Sequence, residues 1–245
     1  MANFLLRGPM CVSGNALPID TGTLNRSASF PPGPVCMAGS AALSMAAPPR
    51  KPSMCLAMRC SEAGRRFIFS IEVGGLKKIT ARLHWPGGAS GVTLGPGYDM
   101  KDRSASSVQT DLMLIGVDPT SAKAAAGGAG LRGDQAEDFA DDQAELLSLT
   151  DEQQVALLAQ VVPHYEAIVN RNIHIALRQP EFDALVSFAY NPGGSFKPVA
   201  HHVDKDEMKA AGEVMKQRVR SGGKQMQGLV NRRRRECNLL LHGNY

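Results

Sequence analysis

Residues 1–66 differ sharply in composition from the rest of the chain, and this difference limits which part can build a core. The segment holds eight of the fifteen prolines and six of the eleven methionines, and its apolar residues show no sustained periodicity. Such a composition is typical of flexible or partner-dependent segments. We therefore expect residues 67–245 to form the folded domain, preceded by a flexible, low-complexity N-terminal extension.

Charge is also distributed unevenly along the chain. The formal net charge is +4, and residues 1–66 carry seven basic and two acidic residues, so the basic excess belongs to the extension. Further on, residues 134–152 hold eight acidic residues, whereas residues 216–236 hold eight basic residues and one acidic residue. Such polarity can orient a protein on an anionic polymer, and solvated helix faces give the same pattern.

Targeting and metal-binding signals are weak. No apolar run approaches the ~20 residues that cross a bilayer, and the apolar start at residues 4–6 is broken at once by Arg7, Gly8 and Pro9. We expect synthesis in the cytoplasm without a signal peptide. The five cysteines lack C-x-x-C spacing, and the adjacent His201 and His202 cannot both face one ion, so we expect no metal site.

The pattern after residue 66 is mostly helical. Phe67, Ile68 and Ile71 predict a short helix that stops at Gly74-Gly75. Residues 80–85 alternate as a strand does, and residues 89–95 are the expected hairpin partner.

Further helices are predicted where apolar spacing of about 3.6 residues is bounded by caps, glycine or proline. They cover residues 107–115, 120–126, 147–162, 180–190, 205–220 and 226–241. Thr150 with Gln153 reads as a capping box, and Asp204 with Glu207 as a second cap. The sequence thus predicts an α+β, mostly helical fold with a small hairpin lobe and a helical bundle lobe.

Three polar residues follow one another around the predicted hairpin. Glu72 lies near the end of the first helix among apolar neighbours, and Thr93 and Asp99 flank the glycine turn of "GVTLGPGYD". Glycoside hydrolysis needs one acidic group that protonates the leaving oxygen and a second that activates water or attacks. Each residue also has a common alternative: solvated surface for Glu72, strand propensity for Thr93 and a turn position for Asp99.

The order of these features resembles the phage-type lysozymes of glycoside hydrolase family 24. The segments that carry the resemblance are "GVTLGPGYD", "FDALVSFAYNPGG" from residue 182 and "GLVNRRRRECNLL" from residue 228. The chain is especially similar to the toxin branch typified by pesticin and by type VI secretion muramidases, over residues 67–245. The resemblance implies a lysozyme-like fold with a sugar cleft between the two lobes, and an enzyme that needs no cofactor.

The resemblance also implies roles for individual residues. Glu72 is the expected general acid, and Thr93 matches a threonine that helps to place the attacking water. The phage enzymes carry an aspartate in the hairpin before this threonine, where this chain has no acidic residue in 86–89. The toxin branch carries an aspartate six residues after it, which matches Asp99, so we predict Asp99 as the base. Tyr98 and Asn191 are predicted substrate contacts.

The resemblance and the expected lack of a signal peptide predict a muramidase that acts as an antibacterial effector. It would cleave the β-1,4 bond between N-acetylmuramic acid and N-acetylglucosamine in the periplasm of a target cell. Its expected partners are peptidoglycan strands, a cognate immunity protein, and a secretion-machine component or chaperone that binds residues 1–66. The alternatives are a phage endolysin, a lytic transglycosylase that uses Glu72 alone, and a non-catalytic module that binds peptidoglycan or another protein.

The run "NRRRREC", residues 231–237, raises the question of nucleic acid. Successive helical residues point about 100° apart, so four arginines spread around a helix, and no aromatic residue nearby offers a base-stacking surface. We expect a surface helix whose arginines pair partly with the acidic segment 134–152, and no nucleic acid partner.

Overall fold

The computed structural model describes residues 57–74 and 77–245, so most of the predicted extension lies outside the described residues. The described helices are α1 Glu62–Val73, α2 Lys77–Thr80, α3 Ala105–Leu114, α4 Pro119–Ala125, α5 Asp134–Asp142, α6 Asp151–Leu157, α7 Pro163–Asn172, α8 Gln179–Tyr190, α9 Lys197–Asp204, α10 Met208–Lys216 and α11 Gln227–His242. Two antiparallel hairpins join β1 Thr93–Leu94 to β2 Tyr98–Asp99 and β3 Arg220–Ser221 to β4 Lys224–Gln225. The predicted α+β, mostly helical class with a small hairpin is confirmed.

Two separate cores stabilise the described part of the chain. The smaller core surrounds the first hairpin and includes Leu94, Tyr98, Val108 and Leu112. The residues around it form the hairpin lobe, and those around the larger core form the helical lobe. The larger one is centred on α8, whose residues 181–189 are all buried against α1, α7 and α11. Because α8 packs against both α1 and α11, it positions the C-terminal end of α1 and the first half of α11. The candidate site lies there.

The first hairpin lies further along the chain than the sequence predicts. Thr93 pairs with Asp99, and Leu94 pairs with Tyr98, across a turn in which Gly95 and Gly97 have φ of +58° and +85°. These angles suit glycine, and the short loop makes this pairing easy to close. The predicted strand over residues 80–85 is wrong, since α2 extends to Thr80 and only His84 pairs with Thr93, in an isolated bridge.

Several predicted helices agree with the structure, and others differ at their ends. Helices α8 and α11 match closely, and the Thr150–Gln153 capping box is confirmed at the start of α6. A helix within the predicted range 205–220 is confirmed, but it is shorter, because α10 covers only Met208–Lys216. The carboxylate of Asp204 accepts the backbone N–H of His174, at 2.6 Å, and so does not cap a following helix.

The start of α1 is held by polar contacts from two distant helices. The backbone N–H of Cys60 donates to Glu166 at 2.8 Å, and that of Ser61 donates to Asp183 at 3.0 Å. Ser61 also caps α1, because its hydroxyl accepts the N–H of Gly64. These contacts set the beginning of α1 several residues before the predicted one at Phe67.

Membrane-spanning helices and metal-binding clusters are both absent from the described residues. No helix in 57–74 or 77–245 is long and apolar enough to cross a membrane. The histidines, cysteines and acidic residues of these ranges form no group of three or more that could hold a metal ion.

His84 makes the stability of the hairpin lobe sensitive to acid. Burial lowers the pKa of His84 below its ordinary value of 6.5, and a hydrogen bond between its Nδ1 and the carbonyl of Arg82 only partly opposes this. Below pH 6.5 the unfolded chain therefore binds a proton that the folded chain resists, so the free energy of unfolding falls as pH falls.

We expect His84→Gln to lessen the drop in Tm between pH 7 and pH 5 by removing this group. The exposed His242, at the end of α11, provides the matched control, and His242→Gln should leave the wild-type acid response in place. An unchanged acid response in His84→Gln would show that other groups set it.

Candidate active site

Glu72 lies in the last turn of α1, just before Gly74 ends the helix with a φ of +41°. Its side chain is 17% exposed, which leaves it reachable from solvent beside the buried Phe69 and Val73. One carboxylate oxygen accepts a hydrogen bond from Nη1 of Arg232 in α11. Glu72 is thus a partly exposed carboxylate held in a fixed orientation by a buried cation.

Arg232 connects Glu72 to the centre of the helical lobe. Its Nε donates to Glu236 at 2.9 Å, and its Nη2 donates to the carbonyl of Ser187 at 2.8 Å. Glu236 has no exposed surface and also accepts a hydrogen bond from Arg233. Two buried guanidinium groups are therefore balanced by two carboxylates, which is what their burial requires.

This arrangement corrects the prediction of a surface helix whose arginines pair partly with residues 134–152. Arg232 and Arg233 are 5% and 1% exposed, and they pair with Glu72 and Glu236, not with residues 134–152. The spacing of residues 232 and 236 puts both on the face of α11 that packs on α8.

Two tyrosines with neighbouring rings interact electrostatically with Glu72. The rings of Tyr165 in α7 and Tyr190 in α8 are 4.6 Å apart. Burial, and next the charge of Glu72, raise the pKa of both hydroxyls. The hydroxyl of Tyr190 donates to the carbonyl of Pro96 at 2.7 Å, so the turn of the first hairpin contacts the end of α8.

Asp99 combines a partly exposed carboxylate with a role in the hairpin. Its Oδ1 accepts the backbone N–H groups of Gly91, at 3.2 Å, and Lys101, at 2.9 Å. Its Oδ2 lies 3.3 Å from Nζ of Lys101, and the side chain is 24% exposed. Gly91 has no room for a side chain, since an added Cβ would lie 2.7 Å from Oδ1 of Asp99.

Thr93 lies directly across the hairpin from Asp99. It is 1% exposed, and its hydroxyl donates to the carbonyl of Gly91 at 3.1 Å. The structure therefore brings Thr93, Asp99 and Gly91 together within one hairpin. A role in placing water rests on the acceptor lone pairs of the Thr93 hydroxyl and stays a prediction.

Tyr98 and Asn191 differ in how well they suit a ligand. Tyr98 is fully buried, its hydroxyl donates to Asp111 at 2.6 Å, and the guanidinium of Arg103 lies 4.1 Å from its ring centroid. The prediction of Tyr98 as a substrate contact is therefore wrong. Asn191 follows Tyr190 at the end of α8 and is partly exposed, and its carbonyl accepts a hydrogen bond from Arg233. Its contact with substrate stays a prediction.

Comparison with known proteins gives partial matches. Residues 72–185 match the model of a domain of unknown function, DUF8812. A stretch of 98 residues is 36% identical to the endolysin of Bacillus phage PZA and covers 39% of this chain and 38% of that relative. A stretch of 99 residues is 37% identical to the endolysin of Bacillus phage B103, with coverages of 39% and 37%. The matched part thus spans less than two fifths of these relatives' length.

Among solved structures, the chain is similar to the muramidase domain of SpmX from Asticaccaulis excentricus. The TM-score is 0.47 at 25% sequence identity, and the match covers 75% of this chain and 97% of that domain.

Proposed function

We propose that this chain is a peptidoglycan hydrolase of the muramidase type. The observation that carries the proposal is Glu72, a partly exposed carboxylate at the end of α1 that the buried Arg232 holds in place. The sequence similarity to two phage endolysins supports action on the cell wall. The proposed bond is the β-1,4 linkage between N-acetylmuramic acid and N-acetylglucosamine.

The proposed mechanism moves two protons and needs no cofactor. Glu72 gives its proton to the glycosidic oxygen as the bond from this oxygen to C1 of N-acetylmuramic acid breaks. Positive charge then develops on C1, as in other glycosidases. Asp99 takes a proton from a water molecule whose oxygen adds to C1, and solvent exchange returns the proton to Glu72.

A second candidate reaction is favoured by the contacts of Asp99. Its carboxylate already accepts two backbone N–H groups and faces Lys101, so the hairpin accounts for it without any chemistry. In a lytic transglycosylase Glu72 acts alone, first as acid and then as base. The 6-hydroxyl of N-acetylmuramic acid then attacks C1 and gives a 1,6-anhydro product without water.

Asp99→Asn separates the two reactions. If Asp99 is the base, we expect muropeptide release to fall by roughly 10²–10⁴-fold, the usual contribution of a positioned acid or base. The matched control is Asp102→Asn, because Asp102 is exposed and pairs only with Arg132 in the described contacts. Full activity in Asp99→Asn, with 1,6-anhydro products by mass spectrometry, would assign the transglycosylase reaction.

The biological setting is part of the same proposal. The endolysin similarity supports a lysin released at the end of a phage cycle. The predicted N-terminal extension supports an antibacterial effector that is loaded on a secretion machine through residues ahead of α1, which begins at Glu62. An effector would act in the periplasm of a target cell and have a cognate immunity protein. The test is to export the protein to the periplasm of the bacteria that express it. Lysis of these cells, with rescue when the immunity protein from a neighbouring gene is co-expressed, would support the effector.

A further inference from the structure

We propose that Tyr190 is a positioning residue that holds the turn of the first hairpin against α8 and thereby sets the separation of Glu72 and Asp99. The inference rests on the proposed function, because it concerns the same reaction. It adds a residue whose hydroxyl acts on the geometry of the carboxylates without touching the sugar.

The first support is a hydrogen bond between the turn of the first hairpin and the end of α8. The hydroxyl of Tyr190 donates to the carbonyl of Pro96 at 2.7 Å, across 94 residues of sequence. Tyr190 packs against the core of the helical lobe, and Pro96 is buried in the turn between β1 and β2. The turn leads directly into Asp99 in β2. A contact at this turn therefore controls where Asp99 lies.

The second support is the close approach of the turn to the same hydroxyl. A Cβ added to Gly97 would lie 2.2 Å from Oη of Tyr190, which is far inside van der Waals contact. The backbone of Gly97 also has a φ of +85°, which glycine adopts easily. The turn and the tyrosine are thus complementary in shape as well as hydrogen-bonded.

The third support is the connection from Tyr190 back to Glu72. Arg232 donates to Glu72 and also to the carbonyl of Ser187, which lies one turn before Tyr190 in α8. Burial raises the pKa of the Tyr190 hydroxyl, and the charge of Glu72 raises it further. One segment of α8 therefore positions Glu72 through Arg232 and the hairpin through Tyr190.

The expected effect is on catalysis more than on folding. A displacement of about 1 Å at a reacting group can cost about 10²-fold in rate. Removing the Tyr190 hydroxyl leaves the packing of the larger core in place. Arg103 also still joins the hairpin lobe to the carbonyl of Gln160 at 3.1 Å. We expect Tyr190→Phe to lower kcat by roughly 10–100-fold, with KM and Tm close to wild type.

The test compares Tyr190→Phe with Tyr245→Phe, using kcat and KM on soluble peptidoglycan fragments together with Tm. Tyr245 is the matched control because its hydroxyl donates to Asp183, also in α8, at 2.7 Å, and Asp183 lies near the opposite end of that helix. We expect Tyr245→Phe to change Tm without changing kcat. A fall in Tm with unchanged kcat in Tyr190→Phe would overturn the proposal.

A double-mutant cycle with Gly97→Ala provides a second readout. The added methyl group collides with the Tyr190 hydroxyl, and Tyr190→Phe removes that hydroxyl. We therefore expect the double variant to be less impaired in kcat than the product of the two single effects predicts. Strictly multiplicative effects would contradict the contact.

The two proposals fail in different ways. If wild type releases muropeptides and Tyr190→Phe matches its kcat within about twofold, only the positioning role is wrong. If folded wild type releases none, the proposed function fails and the positioning role fails with it.

Discussion

Replacing Glu72 with glutamine is expected to lower the rate of muropeptide release by roughly 10²–10⁴-fold, the range that a positioned acid contributes. Glutamine has nearly the same shape and can still accept the hydrogen bond from Arg232, but it cannot give a proton to the leaving oxygen. The fold and the binding to sacculi should persist. The measurement is release of soluble label from dye-coupled sacculi, with Tm and co-sedimentation as checks of folding and binding.

Glu62→Gln is the matched control for this variant. Glu62 lies in the same helix, α1, but it is exposed and pairs with Arg66 on the outer face. Its replacement should leave the rate unchanged. Retention of activity by Glu72→Gln would contradict the assignment of the acid. Binding to sacculi without release of muropeptides by wild type would instead favour the non-catalytic module.

Replacing Arg232 with leucine is expected to destabilise the protein by about 3–5 kcal/mol, because it leaves the buried Glu236 without one of its two cations. Glu72 also loses the group that orients it, so the rate should fall in whatever fraction stays folded. Chemical denaturation measures the first effect, and muropeptide release under folding conditions measures the second.

The neighbouring Arg234 shows whether the effect belongs to the site. It is exposed on the same helix, so Arg234→Leu should change the free energy of unfolding little. If the two substitutions lowered the free energy of unfolding equally, the contacts of Arg232 with Glu72, Glu236 and Ser187 would not stabilise the protein as their burial implies. A stable, fully active Arg232→Leu would show that Glu72 needs no cation to act.

Local patterns predicted the parts of the fold that depend on neighbouring residues. The capping box of Thr150 and Gln153 and the bounds of α8 and α11 follow from interactions within a few residues. Asp204 is a residue type that often caps helices, but its carboxylate accepts a hydrogen bond from His174, 30 residues away. No local pattern contains such a contact.

The site was predictable in part for the same reason. The end of α1 and the glycine turn pointed to Glu72, Thr93 and Asp99 as candidates, and the structure places Thr93 and Asp99 as cross-strand partners. Tyr98 is a predicted substrate contact, but strand alternation sends its side chain into the core. The place of Tyr190 beside the hairpin turn depends on packing between lobes, which only the structure shows.

Arg232 belongs to a run of four arginines whose members have the same side chain and so are hard to tell apart from sequence. Its spacing from Glu236 was a signal that could have separated Arg232 from Arg234 and Arg235, since residues four apart share one helix face. The partner Glu72 is 160 residues away, so the ion pair itself needed the tertiary structure.

The most direct test of the central claim is digestion of purified sacculi in ¹⁸O-labelled water, followed at once by borohydride reduction and mass spectrometry. Hydrolysis of the glycosidic bond would place one ¹⁸O atom on C1 of the released N-acetylmuramic acid, and Glu72→Gln would abolish this product. Unlabelled 1,6-anhydro products would identify the transglycosylase reaction instead. Label found only in peptide carboxylates, or no release at all from the folded protein, would contradict the account.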